Sequence, residues 1–465
     1  MPALKLPMRD SDALFCDEFI TFATFGPGLV DSALTNGQHP PPMQISSDHK
    51  TLALREIEYR DSRHADLPHV VKFSGGRSSA AMALSLAESG ALSAARGDLV
   101  LFANTSAEHP GTLEFAAACC SLLEREYGLP CLWYEFCTVE DASRGVYRRR
   151  ESYRLVRREP VEEHPHGYHS RGEVFEELLS YQGMLPNPHS RSCTARLKLY
   201  PAHRLLAEWL GGAPGPGHEG HHGDRAFLTP EAAERRYRAH GGVASTEAYF
   251  RRIEYLTERP PSRCAQRWED YTDAPIVSRP FNRPVGQAPM WGREAVRFVT
   301  LLGLRGDEER RVNRVLSRSF LAEGAGGRDC SIRTQPPGER PYFPLYDAGW
   351  SESDIDAFWQ SRDLALDIPE GAGNCVFCFM KGTKQLQWQA QRPDPARVAG
   401  APTDIRWWGE MEARYHREAP ARDGCGVSKF GFFGVRGPTF AEIADPVTEL
   451  KGRYATGSPA CDCTD

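Results

Sequence analysis

The feature that most constrains the fold is a short apolar run, His69 to Phe73 (HVVKF), that breaks at Ser74 to Ser79 (SGGRSS) and resumes as the alanine-rich Ala80 to Ala87. Strand, glycine turn and helix in that order bring backbone N–H groups and a helix N-terminus together, a site suited to a phosphate or sulfate. The pattern then repeats. A helix is expected over about 79 to 89, a strand over Asp98 to Ala103, a helix over Thr112 to Tyr127 and a strand over Cys131 to Cys137. Such alternation predicts an α/β fold, a mostly parallel twisted sheet with flanking helices, whose ligands bind at the carboxyl ends of the strands. Ser74 to Ser79 and Asn104 to His109 then share one rim.

The chain of 465 residues divides by pattern. Residues 1 to 66 show no sustained period and read as a loosely ordered extension. Residues 67 to 385 carry the regular pattern, interrupted by a Gly-, Pro- and His-rich insertion at about 211 to 290. Residues 386 to 465 form a small C-terminal subdomain and a cysteine-containing tail. Ala295 to Leu302 reads as a buried strand and Ser351 to Arg362 as a helix. The aromatics of Arg406 to Glu418 (RWWGEMEARYHRE) fall at helical spacing and are expected to pack the C-terminal subdomain. The arginine-rich Tyr147 to Glu159 is expected to be a solvated helix face. No apolar stretch is long enough for a membrane span, and a soluble, cytoplasmic protein without membrane partners is expected. With 56 Lys and Arg against 62 Asp and Glu, net charge gives no general argument for nucleic-acid binding.

Thirteen cysteines without a secretion signal suggest metal ligation, redox chemistry or burial. Cys119, Cys120, Cys131 and Cys137 lie in apolar patterns and read as core. Cys193, Cys375, Cys378, Cys425, Cys461 and Cys463 sit among turn and polar residues. The Cys375 and Cys378 pair suits zinc, an iron-sulfur cluster or a dithiol alike.

In SGGRSS, Gly75 and Gly76 let the backbone approach an anion. Ser74, Ser78 and Ser79 offer hydroxyls, and Arg77 offers charge. The segment resembles the PP-loop of the adenine nucleotide α-hydrolase-like superfamily, with Ser78 where many members carry Asp. Four further segments, in order, resemble the phosphoadenosine phosphosulfate (PAPS) reductase family. FANTSAEHPGTLEF supplies Asn104, Thr105 and Glu108. LPNPHSRSCTARLKLYP supplies Cys193, Arg196 and Lys198. GLRGDEERR supplies Arg305 and is followed by FPLYDAGWSESDIDAFW, and GNCVFCFMKG supplies the cysteine pair.

The resemblance implies an adenine nucleotide, ATP or PAPS, with Asn104, Thr105 and Glu108 on its base and ribose side and Arg196, Lys198 and Arg305 adding charge. It also implies a [4Fe-4S] cluster on Cys193, Cys375 and Cys378, with Cys425 or a tail cysteine as a possible fourth ligand and zinc as the alternative metal. Tail thiols Cys461 and Cys463 would be the nucleophiles on sulfur. The expected activity is sulfur transfer or sulfonyl reduction, with a thioredoxin-like electron donor. Two alternatives stay open. One is an ATP-dependent, Mg-assisted adenylating sulfurtransferase acting on nucleic acid, and the other is a non-catalytic nucleotide-binding module with structural zinc.

Overall fold

Alternating apolar side chains build the central sheet two faces at a time. The computed structural model of the protein describes residues 64–141, 148–164, 166–188, 191–211, 298–319, 339–420, 427–435 and 437–450. Most of the expected N-terminal extension, the insertion, and Cys425, Cys461 and Cys463 lie outside the described residues.

Strand β1 (His69–Phe73) leads through the glycine turn into α1 (Arg77–Glu88), then β2 (Leu99–Asn104), α2 (Pro110–Tyr127) and β3 (Cys131–Asp141). There follow β4 (Arg148–Pro160), the short β5 (Gly167–Tyr168), α3 (Glu173–Gln182), a π-helical turn at Thr194–Leu199 and α4 (Tyr200–Gly211). The chain returns with β6 (Phe298–Leu302), α5 (Glu309–Ser319), β7 (Glu339–Tyr342), α6 (Pro344–Asp347) and α7 (Glu352–Gln360). Last come α8 (Thr383–Gln391), α9 (Ile405–Tyr415), the β8 (Arg417–Pro420) and β9 (Val427–Phe430) hairpin, and α10 (Phe440–Ala444).

The seven strands run in the order β5-β4-β3-β2-β1-β6-β7. β7, β6, β1, β2 and β3 are parallel, and β3 pairs antiparallel with β4. The expected α/β architecture is present. From β1 the chain winds outward to β2 and β3, then returns on the other side of β1 as β6. The carboxyl ends of β1 and β6 therefore flank a crevice where the winding reverses, the usual ligand position in open α/β sheets.

Because side chains alternate along each strand, the sheet has two apolar faces. Val71, Phe73, Val100, Phe102, Trp133 and Val156 pack against α1 and α2. Val70, Leu99, Leu101, Leu132, Tyr134, Tyr153 and Leu155 pack against Ala202, Leu205 and Leu206 of α4. Cys119, Cys120, Cys131 and Cys137 are buried, as expected of core residues.

The arginine-rich segment is not a helix. It is strand β4, in which Tyr153 and Leu155 point to the α4 face while Val156 packs on the α1/α2 face. Its charges mask a period of two, and pairing with β3 from Trp133 to Asp141 overrides any helical preference.

A third apolar cluster joins the chain's C-terminal part to its middle. It holds Val174, Phe175 and Leu178 of α3, Phe377 and Phe379 beside the cysteine pair, and Trp407, Trp408, Phe432 and Phe440. The expected helix of aromatics is thus α9. Trp408 packs edge-on against Phe175 and donates Nε1–H to Pro402 O at 2.9 Å. Among the described residues no helix is long and apolar enough to cross a membrane.

Trp408 is fully buried, so Trp408→Ala should cost about 3–5 kcal/mol. Residues on both sides of the insertion share this cluster, so denaturant melts followed by fluorescence and by circular dichroism are expected to shift together. A separate early transition for residues 383–450 would contradict a shared core.

Candidate functional site

Gly75 makes the turn after β1. Its φ is +74°, and a Cβ there would lie 2.8 Å from Thr112 Cγ2 and 3.0 Å from a Phe102 ring carbon, so only glycine fits. Gly76 differs. It is the N-cap of α1 in extended conformation, no side chain caps the helix, and a Cβ would meet only Ser74 Oγ at 3.4 Å.

The hydroxyls of Ser74 and Ser79 bond each other at 2.9 Å, and Ser79 Oγ also donates to Gly76 O and accepts from Ser74 N. This pair fixes the turn. Arg77 is engaged by Asp356 of α7, and its carbonyl accepts the Trp359 indole N–H at 3.1 Å.

The crevice is closed on its other side by Gly303, just past β6, where a Cβ would lie 2.7 Å from Ser79 Cα. That contact is with helix backbone, so the loop after β6 packs directly on the first turn of α1. Arg305 extends its guanidinium to Ser78 Oγ at 3.5 Å. It is also steered by Asp307 at 2.9 Å, Glu308 at 3.9 Å and Glu352 at 3.8 Å. Arg305 thus reaches the first turn of α1 while held by carboxylates of its own loop.

On the neighbouring strand, Asn104 is wholly buried. Its Nδ2 donates to Glu135 Oε1 and to His169 O, both at 2.7 Å, and its Oδ1 accepts from Ser106 N. Glu108 folds back to accept from Thr105 N, Ala107 N and Thr105 Oγ1. These two residues spend their polar groups shaping the rim loop.

Ser106, at φ +58°, caps α3 in trans: its Oγ accepts from Val174 N at 2.8 Å. His109 caps α2 through Nδ1, which accepts from Gly111 N.

The cysteine-pair loop docks on this same rim loop. Glu108 and Cys375 form an antiparallel bridge, Val376 N donates to Ala107 O at 2.9 Å, and Thr105 Oγ1 lies 3.6 Å from Cys375 Sγ. Cys375, Cys378 and Cys193 are all buried in the third apolar cluster, the first two within a run of turn residues. Among the described residues no three His, Cys, Asp or Glu side chains form a ready-made metal group.

Thiols in an apolar setting are a donor type that suits a soft metal or an iron-sulfur cluster. One cation is fixed on the backbone of the cysteine loop. That cation is Lys381, whose ammonium donates to Gly371 O at 2.5 Å, Cys375 O at 2.9 Å and Val376 O at 2.7 Å.

Arg196 and Lys198 are placed differently. Arg196 bonds Glu151 of β4 at 2.6 Å and lies over the Tyr181 ring. The Lys198 carbonyl accepts from Tyr134 OH, whose side chain belongs to the α4 face. Arg196 is thus engaged at β4, three strands from β1 in the sheet.

Sequence reasoning missed a polar layer where the aromatic layer ends. Phe102, Trp133 and Val156 are succeeded in register by Asn104, Glu135 and Arg154. Glu135 takes Arg154 Nε at 2.7 Å, His169 N at 2.7 Å and His169 Nδ1 at 2.8 Å. Burial alone would push the Glu135 carboxyl up. His169 and Arg154 beside it prevail and hold it at about 2. The signal was in the sequence: one glutamate inside the apolar run CLWYEFC.

No family model matches the chain, and no solved structure matches it. Over 89 residues it is 29% identical to an uncharacterized nin region protein of Escherichia phage lambda, a stretch covering 19% of this chain and 23% of that protein. The chain thus spans under a quarter of that relative's length.

Since the folded Glu135 carboxyl lies below its ordinary 4.5, its stabilisation is fully present above about pH 4.5 and fades as pH falls through about 2. Glu135→Gln should cost about 3 kcal/mol at neutral pH. Urea melts should show that cost shrinking between pH 4.5 and 2. A cost independent of pH would contradict the ionised network.

Proposed function

We propose that the protein is a PAPS reductase-like enzyme of the adenine nucleotide α-hydrolase-like superfamily. It holds a nucleotide's anionic groups in the β1–β6 crevice and carries out sulfur transfer or sulfonyl reduction beside its cysteines. One observation carries the reading. The loop after β2, on the same strand-end rim as the glycine turn, is the loop on which the cysteine pair docks, with Thr105 Oγ1 3.6 Å from Cys375 Sγ.

In this reading the uncapped N-terminus of α1 and the Arg305 guanidinium receive the phosphate or sulfate groups. Gly76 leaves the approach open, while Gly75 and Gly303 set the shape of the crevice. Ser78 stands where a carboxylate would otherwise bind magnesium, which favours a nucleotide-linked sulfur step over cleavage of ATP.

Cys193, Cys375 and Cys378 are the residues that would hold a [4Fe-4S] cluster, and Lys381 would offset thiolate charge there. Such a cluster, when bound, supplies electrons or a site for sulfide.

Calorimetric titration with ATP and with PAPS tests the nucleotide site. Gly76→Leu adds a side chain where the backbone has room, so it should keep the melting temperature and lose nucleotide binding. Arg305→Ala should weaken binding about 10–100-fold. Unchanged affinity in both variants would place the nucleotide elsewhere.

Sulfite from PAPS would support the leading reading, and AMP with pyrophosphate from ATP would support the adenylating one. Anaerobically purified protein is expected to be brown, with the colour lost in Cys375→Ala. A colourless protein with stoichiometric zinc and neither product would leave a non-catalytic module.

A further inference from the structure

One ionisable group at the strand-end rim has no role in the scheme above. His169 follows β5, and its backbone and ring are both fixed by the polar layer. Its carbonyl accepts from Asn104 and its N–H donates to Glu135 Oε1, so the residue is pinned to β2 and β3 at once. Nδ1 lies 2.8 Å from Glu135 Oε2 and 3.3 Å from Arg154 Nη2.

The shorter contact, to Glu135, sets the tautomer against the longer one to the Arg154 donor. A lone pair on Nδ1 would face a carboxylate oxygen at 2.8 Å, which is repulsive, so Nδ1 carries the proton and donates to Glu135. Nε2 is then an acceptor. It has no protein partner among the described residues, and the side chain is 18% exposed.

A carboxylate behind one ring nitrogen and an open acceptor at the other form the arrangement that lets imidazole take a proton and keep the resulting charge paired. The charged groups facing the ring are Glu135 from β3 and Arg154 from β4, while Asn104 of β2 meets only its carbonyl. Asn104 also places the histidine one residue from Thr105, which touches Cys375.

We propose that His169 is the proton-transfer residue of this rim, its Nε2 accepting the proton of the nucleophile that attacks the anhydride of the bound adenine nucleotide. The proposal rests on the nucleotide reading given above. In the step, the nucleophile's X–H bond breaks and its proton passes to Nε2. X bonds to the phosphorus of ATP or the sulfur of PAPS, and the bond to the bridging oxygen breaks. The electron pair leaves with pyrophosphate or with adenosine 3′,5′-bisphosphate, and no net oxidation occurs.

The test uses His169→Asn in the full chain, because the asparagine amide can still donate to Glu135 while lacking Nε2. Release of adenosine 3′,5′-bisphosphate from PAPS with dithiothreitol, and of pyrophosphate from ATP with hydroxylamine, is followed across pH together with affinity for each nucleotide.

Expected are a rate loss of about 100-fold or more, nucleotide affinity within about twofold, and disappearance of the acid limb of the pH–rate profile. Added imidazole should restore part of the rate in His169→Ala. Wild-type turnover in His169→Asn would overturn the assignment and leave the nucleotide reading standing. A loss of affinity equal to the loss of rate would also overturn it, by making His169 a binding or structural residue. A wild-type protein releasing neither product would overturn both.

Discussion

The six residues from Asn104 to His109 are the point on which the rest of the molecule is hung. Within them Asn104 ties β2 to Glu135 and His169, and Ser106 caps α3. Ala107 and Glu108 receive the cysteine loop, and His109 caps α2. Few loops satisfy so many backbone groups of other elements. The positive φ of Ser106 is a cost of order 1 kcal/mol that this many partners readily sustain. Rigidity here is a matter of hydrogen-bond accounting: each buried polar group meets a partner, so the loop has no cheap alternative conformation.

The parallel strands were legible because their signals agree. Apolar runs such as LVLFAN and FVTLL are broken by turn residues, and helices of apolar period follow. Strand β4 was not legible, since its arginines and glutamates hide Tyr153 and Leu155, and only pairing with β3 makes the period of two decisive. The site was half legible. The glycine turn, Arg305 and the cysteine pair fall on or beside one rim as their motifs suggest. Arg196, by contrast, is held by Glu151 of β4 and lies over the Tyr181 ring. A motif fixes local chain geometry, whereas the direction of a side chain depends on partners that are remote in sequence. Glu135 illustrates the converse, for its three partners Asn104, Arg154 and His169 come from three segments that no local pattern connects.

Two electrostatic designs coexist within this region. At the cysteine loop a buried ammonium is surrounded by carbonyl dipoles, and at the polar layer a buried carboxylate is surrounded by donors. The ammonium is held by carbonyl dipoles in place of water, whereas the carboxylate is paired with the Arg154 guanidinium and also accepts from His169 N.

The interior place of β1, between β2 and β6, has a consequence for how the chain acquires its site. Val70 pairs with Leu99 on one side but with Thr300 on the other, across about half of the sequence. The turn at Gly75 can form early from neighbouring segments, whereas the Gly303 wall and the Arg305 arm arrive only when that distant strand has docked. Closing so long a loop carries a large entropic cost and is slow. During synthesis the chain therefore passes through a stage in which five of the seven strands can be folded and one flank of β1 lies open. That open strand edge, more than any exposed apolar side chain, is where a nascent copy is most exposed to mispairing.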